Sequence, residues 1–427
     1  MKKRVLILEL NEFNLRVMQK AAQELDLVNL NKLLANNKYR YLTDDKVQFE
    51  WLDPWVQWVS VHTGLPSSEH KIQHLGEVPD HDAEQFWELL SKRGVTTGVW
   101  GVMNGNRRNA ENNLFFIPDP WTYSEKAYPV ELNRLLNLPR HLSQNYLNVS
   151  IKQLIAGVFE FGSFLVHRGV FWTSIWETVK LFPVIMTEWP KHYTLISLFD
   201  YLSCYIFLKY KKKYKPDISL IFLNSIAHVQ HHHWNQGPDT LTKPLQLTFK
   251  NLDRIVGLLY ESLEEGEAFI VHNALTQINT NHEKPWILYR QNDPVTFMKE
   301  IGFPSLRIEQ LMTNDAHVFF KNKHERDNAF KALSEARCLG KSIFNIEKSK
   351  SNNQLFYRLD FTEEVEKDVA FIVDGRSYRF FDLFSYIVTR TGRHIAEGDI
   401  VSDQVKFDDD IYNHEFNDYV YKYLFES

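Results

Sequence analysis

The chain has 427 residues, a net charge of −5, 44% hydrophobic residues and 24% charged residues. That balance excludes a disordered tail, a collagen-like rod and a low-complexity scaffold, and it supplies no basic field for nucleic acid. The outlying quantity is aromatic, with 11 Trp, 19 Tyr and 30 Phe making 14% of the chain. Cys204 and Cys338 lie far apart and read as free thiols of a reducing compartment. The basic start Met1 to Arg4 leads into an apolar run, Val5 to Leu8, that Glu9 interrupts. That run is shorter than the roughly 7–15 residues of a secretory signal core. No stretch of about 18 apolar residues reads as a membrane span. The chain is expected in the cytoplasm.

Val5 to Leu8 is a continuous apolar run, the pattern of a central parallel strand. Helical spacing follows over Phe13 to Leu34. Phe86 to Arg93 reads as a helix with basic residues in its last turn and Gly94 as its stop. A strand over Val95 to Val102 completes a β-α-β unit. Residues 145–215 are rich in rings but broken by charges, and read as amphipathic helices ending in Lys209, Lys211, Lys212, Lys213 and Lys215. Strands resume at Ile218–Leu223 and Ala268–Val271, with a helix over Pro244–Glu264 between them. The expected fold is α/β: a doubly wound, mostly parallel sheet flanked by helices. Residues 1–144 and 216–427 form its two parts, and 145–215 an aromatic helical insertion or cap.

Four polar stations follow predicted strands, at the sheet edge where open α/β folds bind ligands. The first is Glu9-Leu10-Asn11-Glu12, whose Glu9 can hold a cation or act as a base. The second, Asp53 to His70, brings Gln57, Ser60, His62 and the Thr63-Gly64-Leu65-Pro66 turn with His70. The third, Asn224 to Trp234, carries His228, His231, His232 and His233, at helical spacings that suit a metal. The fourth, Thr391 to Asp399, sets His394 in a tight loop between Gly392 and Gly398. Asn273 follows the strand ending at Val271. Arg107 sits in a glycine-bearing turn where a guanidinium can meet an oxyanion.

Taken in order, the Glu9 station, Thr63-Gly64-Leu65-Pro66 with His70, the His231 helix and Gly392-Arg393-His394 through Gly398 resemble the alkaline phosphatase superfamily. The branch is that of type I phosphodiesterases and nucleotide pyrophosphatases. The resemblance touches residues 4–110, 216–290 and 375–400. It implies a bimetal site at the C-terminal edge of the sheet. The family's nucleophile stands nine residues before the threonine, where this chain has Pro54. Ala227 replaces an expected Asp, and His272-Asn273 an expected Asp-His pair. Glu9, His231 and His394 remain at ligand positions, which implies one divalent ion at most, Zn or Mn, or none.

Two functional classes stay open. One is a rewired hydrolase or transferase on a phosphate or sulfate ester, such as a phosphodiester or a glycan-linked group. Its nucleophile is water, Ser60 or Thr63, with His62 or His228 as base and Gln57, Asn224, Asn273 and Arg107 on the substrate. The other is an inactive binding module for a phosphorylated ligand or a protein partner. The rings concentrate at Trp51, Trp55 and Trp58, and in the insertion from Phe159 through Trp172, Trp176, Phe182 and Trp189 to Phe207. With the lysine cluster they leave open a peripheral membrane contact through 145–215. Oligomeric state is not legible.

Overall fold

The structure is a computed structural model that describes residues 3–46, 52–145, 151–188, 192–349 and 352–426. Trp51 and Trp189, and the side chain of Phe182, lie outside the described residues. The chain forms two compact units: residues 1–136, 159–282 and 391–427, and residues 137–158 and 283–390.

The first unit is built on an eight-stranded sheet. Its strands are β1 (Arg4–Leu10), β2 (Asn37–Leu42), β3 (Thr97–Val102), β4 (Asn113–Pro118), β5 (Ile218–Leu223) and β6 (Glu267–His272), with Glu397–Ser402 and Ile411–Tyr412. β1 lies between β5 and β6, parallel to both, and β3 continues the parallel order toward β4. Glu397–Ser402 runs antiparallel between β6 and β2. The sheet is therefore mostly parallel, as the apolar runs required. Val5 to Leu8 are fully buried, because helices cover both faces of such a sheet.

Helices of this unit begin with α1 (Leu15–Glu24), α2 (Val28–Leu34), α3 (Pro54–Thr63), α4 (Ser67–His70) and α5 (Phe86–Lys92). Asn14 caps α1 by accepting the Val17 amide at 3.1 Å. Gly64 ends α3 in the left-handed region, at φ 70°. Further along come α6 (Asn133–Asn145) and α7 (Ile151–His167), each with residues in both units, and then α8 (Phe171–Glu188), α9 (His192–Tyr214), α10 (Ser225–His232) and α11 (Lys243–Glu261). Leu6, Leu8, Phe207, Phe249 and Phe269 belong to one core cluster, so α9 and α11 pack on the sheet through their apolar faces.

His394 departs from the expected loop. It lies on a strand, Gly392–Ile395, paired antiparallel with β7 (Thr276–Asn279). The two glycines serve close approach there. A Cβ on Gly392 would meet the Gln230 carbonyl oxygen at 2.8 Å, and one on Gly398 would press on Tyr41 at 3.3 Å.

The second unit has its own core, including Tyr289, Phe297, Phe344, Phe371 and Phe384. Two four-stranded sheets and a paired Trp286–Gln291 and Phe384–Arg390 surround it.

Candidate metal centre

β1 ends at Leu10, and the chain turns through Asn11 and Glu12 before α1. Glu12 takes a left-handed backbone, φ 54°, in which an L side chain is unfavourable by about 1–2 kcal/mol. Gln230 of α10 grips this turn twice. Its Nε2 donates to the Glu12 carbonyl at 2.7 Å, and its Oε1 accepts the Asn14 amide at 3.2 Å. The turn aims the buried Glu12 carboxylate at α10 and at the Gly392–Ile395 strand.

Three ligand atoms meet there. Glu12 Oε2 lies 2.8 Å from His231 Nε2 and 3.0 Å from His394 Nε2, and the two Nε2 atoms are 3.2 Å apart. Among the described residues, this is the group of His, Cys, Asp and Glu side chains whose ligand atoms converge.

The second atoms of each ring fix the chemistry. His231 Nδ1 lies 3.1 Å from the Gly392 carbonyl oxygen, and His394 Nδ1 lies 2.9 Å from that of Leu52. A carbonyl only accepts, so each Nδ1 carries the proton and donates it. With the Nδ1 proton committed, each ring can offer its Nε2 lone pair to a cation at the shared point, or a second proton to Glu12 where no cation lies. Two lone pairs and a carboxylate oxygen repel one another unless a proton or a cation lies among them. Outer hydrogen bonds of this kind are the usual support of metal-ligating histidines.

The carboxylate is supported in the same way. Asn11 Nδ2 donates to Glu12 Oε1 at 2.9 Å, and Gln277 Nε2 donates to Oε2. Burial alone pushes the Glu12 carboxyl up, but His394 and His231 beside it hold it well below the usual carboxylate range. Thr391 closes the end of α10. Its amide donates to the His231 carbonyl at 2.7 Å and its hydroxyl to that of Gln230 at 2.9 Å.

The donor set fits a divalent ion. Two imidazoles and a carboxylate are a ligand set used by zinc and by other first-row metals. Tetrahedral bonds of about 2.0–2.1 Å separate ligand atoms by about 3.3 Å. The separations here, 2.8–3.2 Å, need an expansion of a few tenths of an ångström only.

The structure brings His231 and His394 together but not Glu9. Glu9 is still inside β1, in register with His272. Its Oε1 bonds His62 Nε2 at 2.8 Å, both groups are buried, and Glu12 takes the ligand place instead. His62 is sealed against Trp58 and Trp87, with ring centroids at 5.7 and 5.1 Å, away from any substrate. The expected base is thus a buried partner of Glu9. Behind it, Tyr41 Oη lies 3.1 Å from His272 Nδ1, and burial pulls His272 down to about 3.

The hydroxyls are also committed. Thr63 Oγ1 donates to the Val59 carbonyl at 2.7 Å. Ser60 Oγ lies 3.0 Å from His70 Nε2, while His70 Nδ1 accepts the Ile72 amide at 3.1 Å. His70 Nε2 therefore holds the proton and donates to Ser60, so it activates no nucleophile. Neither His62 nor His228 is the partner of Ser60.

The expected substrate-binding residues turn to the fold. Gln57 joins Asp45 at 2.7 Å and Asn413 at 2.7 Å. Asn273 donates to the Phe13 carbonyl at 2.8 Å and accepts the Asp399 amide at 2.8 Å. Arg107 lies on the Tyr128 ring, 3.9 Å from its centroid. Asn224 Oδ1 accepts from Asn11 Nδ2 at 2.8 Å, so it steadies the turn that carries Glu12. His228 packs on His232, with centroids 4.5 Å apart.

Sequence reasoning missed Glu12, Gln230 and Gln277. Glu12 stands in the first station already noted. Its signal was position, since a ligand must lie past the last ladder residue.

No family model matches the chain, and no curated protein matches it. Solved structures do. Phosphonoacetate hydrolase from Sinorhizobium meliloti 1021, in complex with phosphonoformate, is 11% identical with a TM-score of 0.48, covering 98% of this chain and 95% of that one. Murine ectonucleotide pyrophosphatase/phosphodiesterase 5 is 10% identical with a TM-score of 0.46, covering 99% of this chain and 95% of that one. A mutant of the alkaline phosphatase PafA is 10% identical with a TM-score of 0.45, covering 97% and 95%.

Proposed function

We propose that this chain is a hydrolase with one divalent ion, held by Glu12, His231 and His394, that acts on a phosphate or sulfate ester. The observation that supports it is the convergence of two Nε2 lone pairs and a buried carboxylate oxygen. The ester class rests on the sequence resemblance through Thr63-Gly64-Leu65-Pro66 and the Gly392–Gly398 segment.

A divalent ion held by Glu12, His231 and His394 would supply Lewis-acid stabilisation of the charge that develops on the ester. The chain's own groups do the rest. The Gly392 and Leu52 carbonyls hold both imidazoles in one tautomer. Asn11 and Gln277 keep both Glu12 oxygens oriented, which limits reorganisation on binding to that small expansion. With Pro54 at the family's nucleophile position and Ser60 and Thr63 engaged elsewhere, water is the nucleophile. Asp53 Oδ1 lies 3.9 Å from His394 Nδ1, on the ring edge turned away from the ligand point, so it adds to the outer support of that imidazole.

The test pairs metal analysis with turnover of generic phosphodiester, phosphomonoester and sulfate ester substrates. Wild-type protein is expected to hold about one ion per chain and to turn over one of these classes. His394→Ala should lose the ion and the turnover together. A chain that holds no ion, or that holds one and turns over none of the three, overturns the reading.

A further inference from the structure

Over Trp172–Lys180, the described side chains of α8 are set inside out. Ser174 and Glu177, polar residues three apart, face the protein and are buried. Glu177 is tied there by ion pairs to Arg254 and to Lys180. The opposite face carries Trp172, Ile175, Trp176 and Val179, the spacing of one helical stripe. These side chains stand in solvent, with Trp172 78% and Trp176 60% exposed. Phe159, on α7, is 77% exposed. An ordinary surface helix turns such a stripe inward, and a contiguous apolar face left outward marks an interaction surface.

Positive charge adjoins the start of this stripe. The Arg168 guanidinium, at the bend before α8, lies over the Tyr210 ring of α9, 5.9 Å from its centroid. The last turns of α9 therefore meet the bend that leads into α8. Lys209, Lys212 and Lys213 are exposed on those turns. No single helix among the described residues is long and apolar enough to cross a membrane. α7 and the first part of α8 reach that hydropathy together, but they are bent by 115° at their break.

We infer that α8, with Phe159 and the lysines closing α9, forms a face that lies on an anionic lipid surface. The chemistry of the occupant follows from the face. Exposed Trp residues favour the headgroup level of a bilayer, with the indole ring in the acyl boundary and its N–H in the wet layer. Aliphatic side chains between them enter the boundary without a partner. Clustered lysines at one end attract anionic headgroups within a Debye length. A single apolar contact holds weakly, and an apolar face plus a basic cluster gives the two signals that stable attachment needs. The glutamate within the stripe's own turns, Glu177, is buried and paired, so it does not repel the surface.

The experiment is co-sedimentation of the full chain with phosphatidylcholine vesicles, with and without phosphatidylglycerol, at low and high salt. The wild type should bind the anionic vesicles, and less at high salt. Trp172→Ser with Trp176→Ser, both exposed and so compatible with folding, should lower that binding by at least about 10-fold. Lys209→Gln, Lys212→Gln and Lys213→Gln together should abolish the preference for anionic vesicles. Circular dichroism should show both variants folded. Failure of the wild type to bind either vesicle overturns the inference, as does unchanged binding by the folded Trp variant. A wild-type dimer that the Trp variant converts to monomer, without vesicle binding, assigns the face to a second copy and overturns it too.

Discussion

His231 Nε2 and His394 Nε2 face each other at 3.2 Å while each ring's Nδ1 is spent on a carbonyl oxygen. The pair cannot turn away without leaving a buried carbonyl unsatisfied. It therefore waits for a cation or shares a proton with Glu12. We expect His231→Ala and His394→Ala to lower the metal content from about one ion per chain toward zero, measured by elemental analysis after dialysis. Loss of one of three protein ligands leaves too few for a stable zinc-like site.

The two carboxylates of the first station should separate by the same measurement. Glu12→Gln should lose the ion. Glu9→Gln should keep it, because Glu9 bonds His62 and a Gln carbonyl can still accept that N–H. Equal loss in both variants would place the ion elsewhere.

Gly392 tests the support of the site. A Cβ there would collide with the Gln230 carbonyl and with Gln277 Oε1, the side chain that orients Glu12. Gly392→Ala should destabilise the fold by about 1–3 kcal/mol through overpacking. Gln277→Ala, with no such collision, should weaken metal affinity by about 10–100-fold, as loss of an outer hydrogen bond does. Metal-competition titration and thermal unfolding read the two effects apart.

Ser60 offers a negative control with a cost in stability. Ser60→Ala leaves the buried His70 Nε2–H without its partner, which costs about 1–3 kcal/mol. Turnover per folded molecule should stay at the wild-type level. A loss of several orders of magnitude in kcat would restore Ser60 as the nucleophile.

His70 also gives a pH dependence. Burial first, then the charge on His81, lowers it from 6.5 in the unfolded chain to about 4 in the fold. Between those values the unfolded chain binds the proton that the native state refuses. Its contribution is complete above about pH 6.5 and falls as the pH drops toward 4. In His70→Asn, a side-chain oxygen can still accept the Ile72 amide and nothing titrates. The stability of the wild type relative to this variant should therefore fall by on the order of 2–3 kcal/mol between pH 7.5 and 4. Denaturant unfolding at the two pH values measures it, and a constant difference would contradict the assignment.

Legibility varied with the kind of signal. Val5–Leu8, Ile218–Leu223 and Ala268–Val271 were visible as strands because a sheet buried on both faces demands unbroken apolar runs. Thr63-Gly64 was visible as a turn, and Gly64 takes the left-handed cap there, but the helix α3 before it was not read from the sequence. His231 and His394 were visible through the spacing of their glycine and histidine neighbours. Glu12 was hidden because periodicity does not say where a ladder ends. β1 runs on through Glu9 to Leu10, which moves the ligand position into the turn. His394 read as a loop residue because glycines signal turns as strongly as they signal close packing. The commitments of Ser60, Gln57 and Asn273 were hidden for another reason. Each depends on a partner distant in sequence or on a tautomer, and no local pattern records either.

The left-handed backbone at Glu12 has a consequence for any attempt to improve this protein. For the backbone by itself, Gly is cheaper at φ 54° by about 1–2 kcal/mol. Removing the carboxylate, however, strands the buried donors of Asn11 and Gln277, at about 1–3 kcal/mol each. A laboratory selection for heat resistance, blind to turnover, should therefore still retain Glu12. A lineage that accepts Gly at this codon should first replace Asn11 or Gln277 with an apolar residue.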